Sequence, residues 1–244
     1  MASQAQQRPE RTNRGGNDDD QLPVEVRSLI YSFAIDHLAL RNEALVDLRR
    51  RGLPDDLAAS VGYRSIPRKG TEHAAFLAAL RREFADPLLA RCPGFRDKNQ
   101  RLTFWSAVGD RDGYIVPYRD ELGRVTGIQM KVLGGKYLTA VGTRIKHVYH
   151  IAGEPGERRD LLTTEGGLKA QVAAFHGKAW CLGIPGQALQ PEHIDVISRL
   201  QPARVIVALD QEVNPSTDAA RERWCEALWK AGLPTYRATW EGEL

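Results

Sequence analysis

The last third of the chain alternates between short apolar runs and amphipathic stretches. The apolar runs lie within RDLLTTEGG, KAWCLGIPG, ARVIVALDQE and LPTYRATW. Between them, GLKAQVAAF, PEHIDVISRL and TDAARERWCEALWKAG repeat their apolar residues with the period of a helix. Strands that are almost continuously apolar and alternate with helices predict a parallel sheet covered by helices over residues 159–244.

Residues 23–100 carry a helical pattern instead. Apolar side chains recur at helical spacing from Pro23 onwards, Gly52 is typical of a helix end, and another helix is predicted to begin near Pro54. The stretch TEHAAFLAALRREF, with Thr71 in a capping position, predicts a further amphipathic helix. Two short helices about the turn at Gly52 are compatible with a DNA-reading helix-turn-helix, although helical hairpins are commoner as packing units.

Residues 101–158 contain a third pattern, which predicts a small antiparallel β meander. YIVPYR is rich in strand-forming residues, DELG is a turn, RVTGIQMKV alternates, and GGKYLTA supplies another turn and strand. Basic residues are dense along this meander: Arg119, Arg124, Lys131, Lys136, Arg144 and Lys146. Their density predicts contact with nucleic-acid phosphates, the alternative being the ordinary protection of sheet edges by charge. The rings of Tyr114, Tyr118 and Tyr137 are candidates for stacking on bases or, more commonly, for core packing.

The remaining segment, residues 1–22, has few large apolar side chains and is expected to be a disordered leader. The predicted fold class is therefore α/β: a C-terminal parallel sheet flanked by helices, preceded by a small antiparallel meander and an N-terminal helical region.

Composition narrows the class of protein but not its function. The chain has 244 residues, of which 42% are hydrophobic and 27% charged, as in ordinary soluble globular proteins. It contains no apolar run of about 18 residues and no signal-peptide pattern, so we expect no membrane contact and a cytoplasmic location. Cys92, Cys181 and Cys225 lack the paired spacing of a disulfide framework or a zinc site.

The distribution of charge is uneven along the chain. Residues 1–158 contain 25 Lys and Arg against 20 Asp and Glu, whereas residues 159–244 contain 9 against 11. A basic N-terminal part and a mildly acidic C-terminal part are typical of a protein that binds a polyanion beside a cluster of acids. Ordinary solvent-exposed charges would give the same charge totals.

Acidic residues follow two of the predicted parallel strands. Glu165 comes after LLTT, Asp210 after RVIVAL, and Glu212 two residues later. Because right-handed crossovers bring the carboxyl ends of parallel strands to one edge, these acids are expected to converge there, with Gly166 and Gly167 allowing a tight turn. Gathered carboxylates need a neutralising cation, and oxygen ligands suit Mg²⁺ or Mn²⁺, which assist phosphoryl and nucleotidyl transfer. The alternative is that each acid caps a helix or loop or is simply solvated.

The motifs TTEGGLKA and, some forty residues later, VIVALDQE resemble the Toprim fold of bacterial primases, topoisomerases and certain nucleases. The resemblance covers about residues 159–240. It implies that Glu165 is an acid/base or metal-organising carboxylate and that Asp210 and Glu212 hold a divalent metal. Lys169 matches an EG-x-x-KA variant of the motif, where it either neutralises phosphate or pairs with an acid on its own helix.

The meander is similar to the strand pair that precedes Toprim in the catalytic core of bacterial replicative primases. This resemblance implies template or nucleotide contacts for Arg124, Lys131 and Lys136. The helical front, with RGLPDDLAASVGYRS and CPGF, resembles a region fused to Toprim in primase-like proteins of phages, plasmids and integrative elements. Two features depart from the family pattern: Glu212 stands where an Asp is usual, and the Cys and His ligands of the primase zinc module are absent.

The function implied is that of a primase-like nucleotidyltransferase module in the replication of a mobile element. Its expected partners are single-stranded DNA, nucleoside triphosphates and a replicative helicase. Two alternatives remain at this point: a Toprim nuclease that uses the same metal, and a non-catalytic nucleic-acid-binding adaptor for a helicase.

Overall fold

The N-terminal region consists of helices and a small hairpin that pack beside an antiparallel sheet. In the computed structural model, the described residues are 22–98, 101–104, 112–210 and 215–239. The helices of this region are α1 (Val24–Asp36), α2 (Asn42–Arg50), α3 (Asp55–Val61), α4 (Thr71–Glu83) and α5 (Asp86–Arg91). The strands are β1 (Arg64–Ser65), which lies between α3 and α4, and the hairpin β2 (Phe95–Lys98) and β3 (Arg101–Phe104).

The predicted meander is a four-stranded antiparallel sheet, called the meander sheet below. Its strands after β1 are β4 (Gly113–Arg119), β5 (Val125–Val132) and β6 (Tyr137–Thr139), in the order β1-β4-β5-β6. Every residue of β5 is buried, and β4 is buried on both faces except at Arg119. Both faces of this sheet therefore serve as core, which leaves little room for the exposed basic face that the sequence suggests.

The C-terminal part is a five-stranded sheet, called the parallel sheet below. A short 3₁₀ turn (Ile145–His147) leads into it, and its elements are β7 (His150–Ala152), β8 (Asp160–Glu165), α6 (Gly167–Gly177), β9 (Trp180–Ile184), α7 (Pro191–Leu200), β10 (Arg204–Val207), α8 (Pro215–Lys230) and β11 (Thr235–Arg237). The strand order is β11-β10-β8-β9-β7, in which the four predicted strands are parallel and β7 is an antiparallel edge. The predicted α/β fold class is confirmed.

Strand order creates a crevice beside β8 and β10. The connection that leaves β8 runs through α6 to β9 on one side, whereas the connection that leaves β10 runs through α8 to β11 on the other. At such a switch point the following helices diverge, and ligands of open parallel sheets bind beyond the carboxyl ends of the two strands. Glu165 is the last residue of β8, and Asp210 follows β10.

Hydrophobic clusters join the parts of the chain. One contains α1, α4 and α5, the β2–β3 hairpin and one face of the meander sheet, with Ile30, Leu80 and Ile128 among its members. A second lies between the parallel sheet and helices α7 and α8, around the fully buried Trp224. A third packs α2 and α3 on the other face of the meander sheet and reaches Leu168 of α6, which holds the meander sheet against the parallel sheet.

Some local details differ from the sequence expectations. The helical pattern that begins at Pro23 is interrupted between Asp36 and Asn42, and the β2–β3 hairpin starts at Phe95, inside the region expected to be helical. The expected leader lies outside the described residues, apart from Leu22, which is buried. Among the helices that are described, none has the length and apolar character needed to cross a membrane.

Candidate functional site

The turn that carries Glu165 is fixed by two glycines. Glu165 is the last residue of β8, and Gly166, with a φ of +85°, connects it to α6 in a conformation that favours glycine. The Gly166 N–H donates to the carbonyl oxygen of Ile184, at the end of β9, at 2.6 Å. A Cβ on Gly183 would lie 2.6 Å from the Gly166 carbonyl oxygen and 2.9 Å from the Ala170 Cβ, so the neighbouring strand has no room for a side chain.

The backbone that carries Asp210 is held by a buried arginine. The extended chain continues past β10, where the Ala208 N–H donates to the carbonyl oxygen of Thr163 at 2.8 Å. Arg221 of α8, only 2% exposed, donates from Nη2 to the carbonyl oxygens of Leu209 and Asp210 at 3.4 and 2.7 Å. Arg221 was not among the predicted site residues, because no local sequence pattern marks an arginine of an amphipathic helix as buried.

Lys169 forms an ion pair with Asp210. Its Nζ contacts the Asp210 Oδ2, and the two side chains are 45% and 40% exposed. The resemblance allowed a pairing with an acid on the same helix, whereas the observed partner follows β10 on the neighbouring strand. The Lys169 ammonium therefore lies at the sheet edge where the acidic residues were predicted to converge.

A cleft of about 460 Å³ lies between the meander sheet and the carboxyl edge of the parallel sheet, and we refer to it as the cleft. Glu165, Gly166 and Lys169 line one wall. The other wall is formed by residues of β5, β6 and the turn between them: Gln129, Lys136, Tyr137 and Thr139. The structure thus brings Glu165 of the predicted acids and Lys136 of the predicted basic residues to one cavity, whereas Asp210 is not among the described residues that line it.

A chain of hydrogen bonds links the two walls. The Gly167 N–H, at the start of α6, donates to the Tyr118 Oη at 3.1 Å, and the Tyr118 hydroxyl donates to the Gln129 Oε1 at 2.6 Å. The Gln129 Nε2 then donates to the Thr139 Oγ1 at 3.1 Å. Burial raises the pKa of the Tyr118 phenol, so the hydroxyl stays neutral and keeps its proton to donate. Gln129 was not among the predicted site residues.

Replacing Tyr118 by Phe is expected to lower the free energy of unfolding by about 2 kcal/mol, because a buried N–H and a buried amide oxygen would both lose their partner. Denaturant unfolding followed by circular dichroism measures this change. Tyr137→Phe is the matched control: its ring is 38% exposed, and it should change stability by less than about 0.5 kcal/mol. Equal stabilities of the two variants would contradict the proposed link.

The other predicted basic residues do not line the cleft, and several of them form ion pairs within the protein. Arg124 pairs with Asp120 and Glu25, each at 2.7 Å, and Lys146 pairs with Glu192 at 2.8 Å. Arg144 is half-buried and directly precedes the 3₁₀ turn.

Lys131 and Arg119, two further members of the predicted basic set, also lie outside the lining of the cleft. Lys131 is buried, donates to the carbonyl oxygen of Gly135 and lies 4.8 Å from the centre of the Tyr137 ring. Arg119 lines a separate pocket of about 700 Å³ that also contains Trp180, the first residue of β9. Of the six predicted basic residues, Lys136 is the one that lines the cleft, and it is exposed.

Burial also separates the three candidate stacking residues. Tyr114 and Tyr118 are fully buried, the first with its hydroxyl donating to Asp47 at 2.9 Å, so neither offers a face to a base. Tyr137 keeps an accessible ring and lines the cleft. The stacking hypothesis is wrong for the first two residues and stays a prediction for Tyr137.

The donor set beside the cleft suits a hard divalent cation. Glu165 and Asp210 offer carboxylate oxygens from the ends of neighbouring strands, and none of the described residues that line the cleft carries a thiol or an imidazole. Within the described ranges, no group of three or more His, Cys, Asp or Glu side chains is close enough to hold a metal. Glu212 lies outside those ranges, so the three-carboxylate site stays a prediction.

Comparison with solved structures finds several proteins with a similar fold. The zinc-binding and RNA polymerase domains of the Aquifex aeolicus primase match 93% of this chain with a TM-score of 0.71 and 17% identity, and the chain spans 58% of that protein. The RNA polymerase domain of Mycobacterium tuberculosis primase DnaG, in complex with double-stranded DNA, matches 91% of this chain and 73% of its own length, with a TM-score of 0.70 and 16% identity.

A third structure, a DnaG primase catalytic domain bound to single-stranded DNA, matches 90% of this chain and 74% of its own length, with a TM-score of 0.66 and 18% identity. No protein-family model matches the sequence, and no curated protein sequence matches it either. The chain therefore has the fold of bacterial primase catalytic domains, and the predicted likeness to a primase core is confirmed at the level of the fold.

Proposed function

We propose that this chain is a primase-like nucleotidyltransferase module that synthesises a primer on single-stranded DNA with Mg²⁺ or Mn²⁺. Its substrates are nucleoside triphosphates, its setting is the replication of a mobile element, and a replicative helicase is its candidate partner. The fold shared with primase catalytic domains supports the reaction class.

The observation that carries the proposal is the composition of the cleft. A carboxylate at the end of β8, a lysine of α6 and a lysine of the meander sheet face one cavity beyond the carboxyl ends of β8 and β9. Acids that bind cations and lysines that bind phosphates are the two kinds of group that a metal–triphosphate complex requires.

Glu165, Asp210 and Glu212 are the residues that would hold the divalent ion. The ion supplies charge neutralisation for the phosphate oxygens when it is bound. Asp210 contributes a carboxylate whose backbone is anchored by Arg221, and Glu165 contributes one whose turn is anchored by Gly166.

Lys136 and Tyr137 are the residues that would orient substrate from the opposite wall. The exposed Lys136 ammonium attracts phosphate, whereas Tyr137, a residue 38% exposed beside the cleft, is a candidate for stacking on a base. The Tyr118–Gln129–Thr139 hydrogen bonds keep this wall at a constant distance from the start of α6. Such fixed spacing lowers the entropy lost when the reacting groups are aligned.

Primer synthesis by the purified chain tests the proposal. Labelled nucleoside triphosphates are incubated with several single-stranded templates and either Mn²⁺ or Mg²⁺, and the products are resolved by denaturing electrophoresis. We expect short new strands that require both template and divalent ion. If no template yields product with either ion, the enzymatic proposal is wrong.

The same experiment separates the rival functions. Shortening of the template without new strands would assign a nuclease. Binding of single strands that persists in chelator, without any reaction, would assign a non-catalytic adaptor.

A further inference from the structure

We infer that Lys169 is a tethered competitor of the divalent ion at Asp210, and that its ammonium moves to the phosphate groups in the cleft when the ion binds. The inference rests on the proposed function and specifies how the metal dependence of that same site is regulated.

The first support is the contact between Lys169 and Asp210. Lys169 belongs to α6 and Asp210 follows β10, so the pair bridges the two elements that flank the switch point. Its ammonium contacts one carboxylate oxygen of Asp210, which is the oxygen type that a divalent ion would take. A cation and a metal ion cannot both occupy that position, since like charges repel at contact distance.

The second support is the position of Lys169 within its helix. Gly166 is the N-cap of α6, so Lys169 lies in the first turn, where the helix dipole disfavours a positive charge. The first turn of α6 contains no acidic residue to compensate. The local helix therefore does not explain a lysine here, whereas the Asp210 carboxylate across the crevice does.

The third support is that the Lys169 ammonium has the cleft as a second position beside its contact with Asp210. Lys169 also lines the cleft, opposite Lys136 on the meander wall, and its side chain is 45% exposed. Once the ion holds Asp210, the released ammonium faces the same cavity as Lys136. Two lysines on opposite walls suit the several negative charges of a triphosphate.

Competition has a measurable consequence, because the ion must displace Lys169 before it can bind Asp210. Exposed ion pairs are weak, so removing the lysine should tighten Mn²⁺ binding by about fivefold. The measurement is a titration of the full chain with Mn²⁺ alone, in which electron paramagnetic resonance reports the free ion. The variant is Lys169→Met, with Lys169→Arg expected to bind Mn²⁺ as the original chain does.

Lys230→Met is the matched control. Lys230 forms an exposed pair with Glu226 on α8, so this variant loses the same net charge and a similar ion pair far from the crevice. Its Mn²⁺ dissociation constant should not change. In an Asp210→Asn background, Lys169→Met should have no effect, since the competition requires the carboxylate.

Equal Mn²⁺ affinity of the original chain and Lys169→Met, or weaker binding by the variant, overturns the inference even when the original chain synthesises primers. Absence of Mn²⁺ binding in every variant overturns it as well. Tighter binding by Lys169→Met in a protein that makes no primers supports the inference and removes only the proposed polymerase activity.

Discussion

Asp210→Asn is expected to reduce the rate of primer synthesis by about a thousandfold, which corresponds to about 4 kcal/mol of lost transition-state stabilisation. The substitution keeps the shape of the side chain but removes the charge that would hold a divalent ion. The backbone at this position should stay in place because Arg221 binds the main-chain carbonyl oxygen rather than the carboxylate. The loss should therefore reflect chemistry rather than misfolding.

Initial rates of primer synthesis at saturating Mn²⁺ measure this effect. Asp160→Asn is the control: Asp160 lies at the opposite end of β8, where its carboxylate pairs with Arg204 at 2.7 and 2.5 Å. It removes the same charge from the neighbouring strand and should leave the rate within about twofold, because a partly exposed ion pair contributes little free energy. An Asp210→Asn protein with a tenth or more of the original rate would contradict the assignment of Asp210.

Gly183→Ala is expected to lower the free energy of unfolding by about 2 kcal/mol and the rate of primer synthesis by about a hundredfold. The added Cβ would lie 2.6 Å from the carbonyl oxygen of Gly166, which is a backbone atom of the Glu165 turn. Because a backbone atom cannot rotate away, β9 or the turn must shift. Either shift displaces Glu165 relative to the rest of the cleft.

Gly177→Ala is the control for this substitution. Gly177 is the last residue of α6, and its added Cβ would meet nothing closer than the Ala179 Cβ at 3.9 Å. We expect unchanged or slightly higher stability, since alanine is the better helix former, and an unchanged rate. Denaturant unfolding and primer synthesis are measured on both variants. If Gly183→Ala matches Gly177→Ala in both, the tight approach of β9 to the turn does not position the site.

Only some of the six predicted basic residues keep a charge that is available to a ligand, and this difference has a general reason. Counting charges along the meander gave six equivalent candidates, yet only the surroundings of each residue decide whether its charge is available. Arg124 and Lys146 meet carboxylates from distant parts of the chain, and Lys131 is enclosed by its own turn. Lys136 remains exposed beside the cleft because the β5–β6 turn projects it beyond the sheet.

The sequence by itself determined the elements and their class. Apolar runs of strand length alternating with helical periods predicted the parallel sheet, because periodicity is a local property of the chain. The same local reasoning placed Glu165 at the carboxyl end of β8 and Asp210 beyond that of β10. It also identified the stop at Gly52 and the start of α4 near Thr71. The capping position expected for Thr71 is wrong, because the N-cap of α4 is Gly70 and no described side chain caps this helix.

Only the tertiary structure decided which side chains meet. The pairing of Lys169 with Asp210, the Tyr118 hydroxyl at the start of α6 and the burial of Arg221 join residues on different elements. Such contacts depend on how the two sheets pack and on which face of each helix turns inward. These are set by the burial of the whole apolar surface, and no local pattern records them.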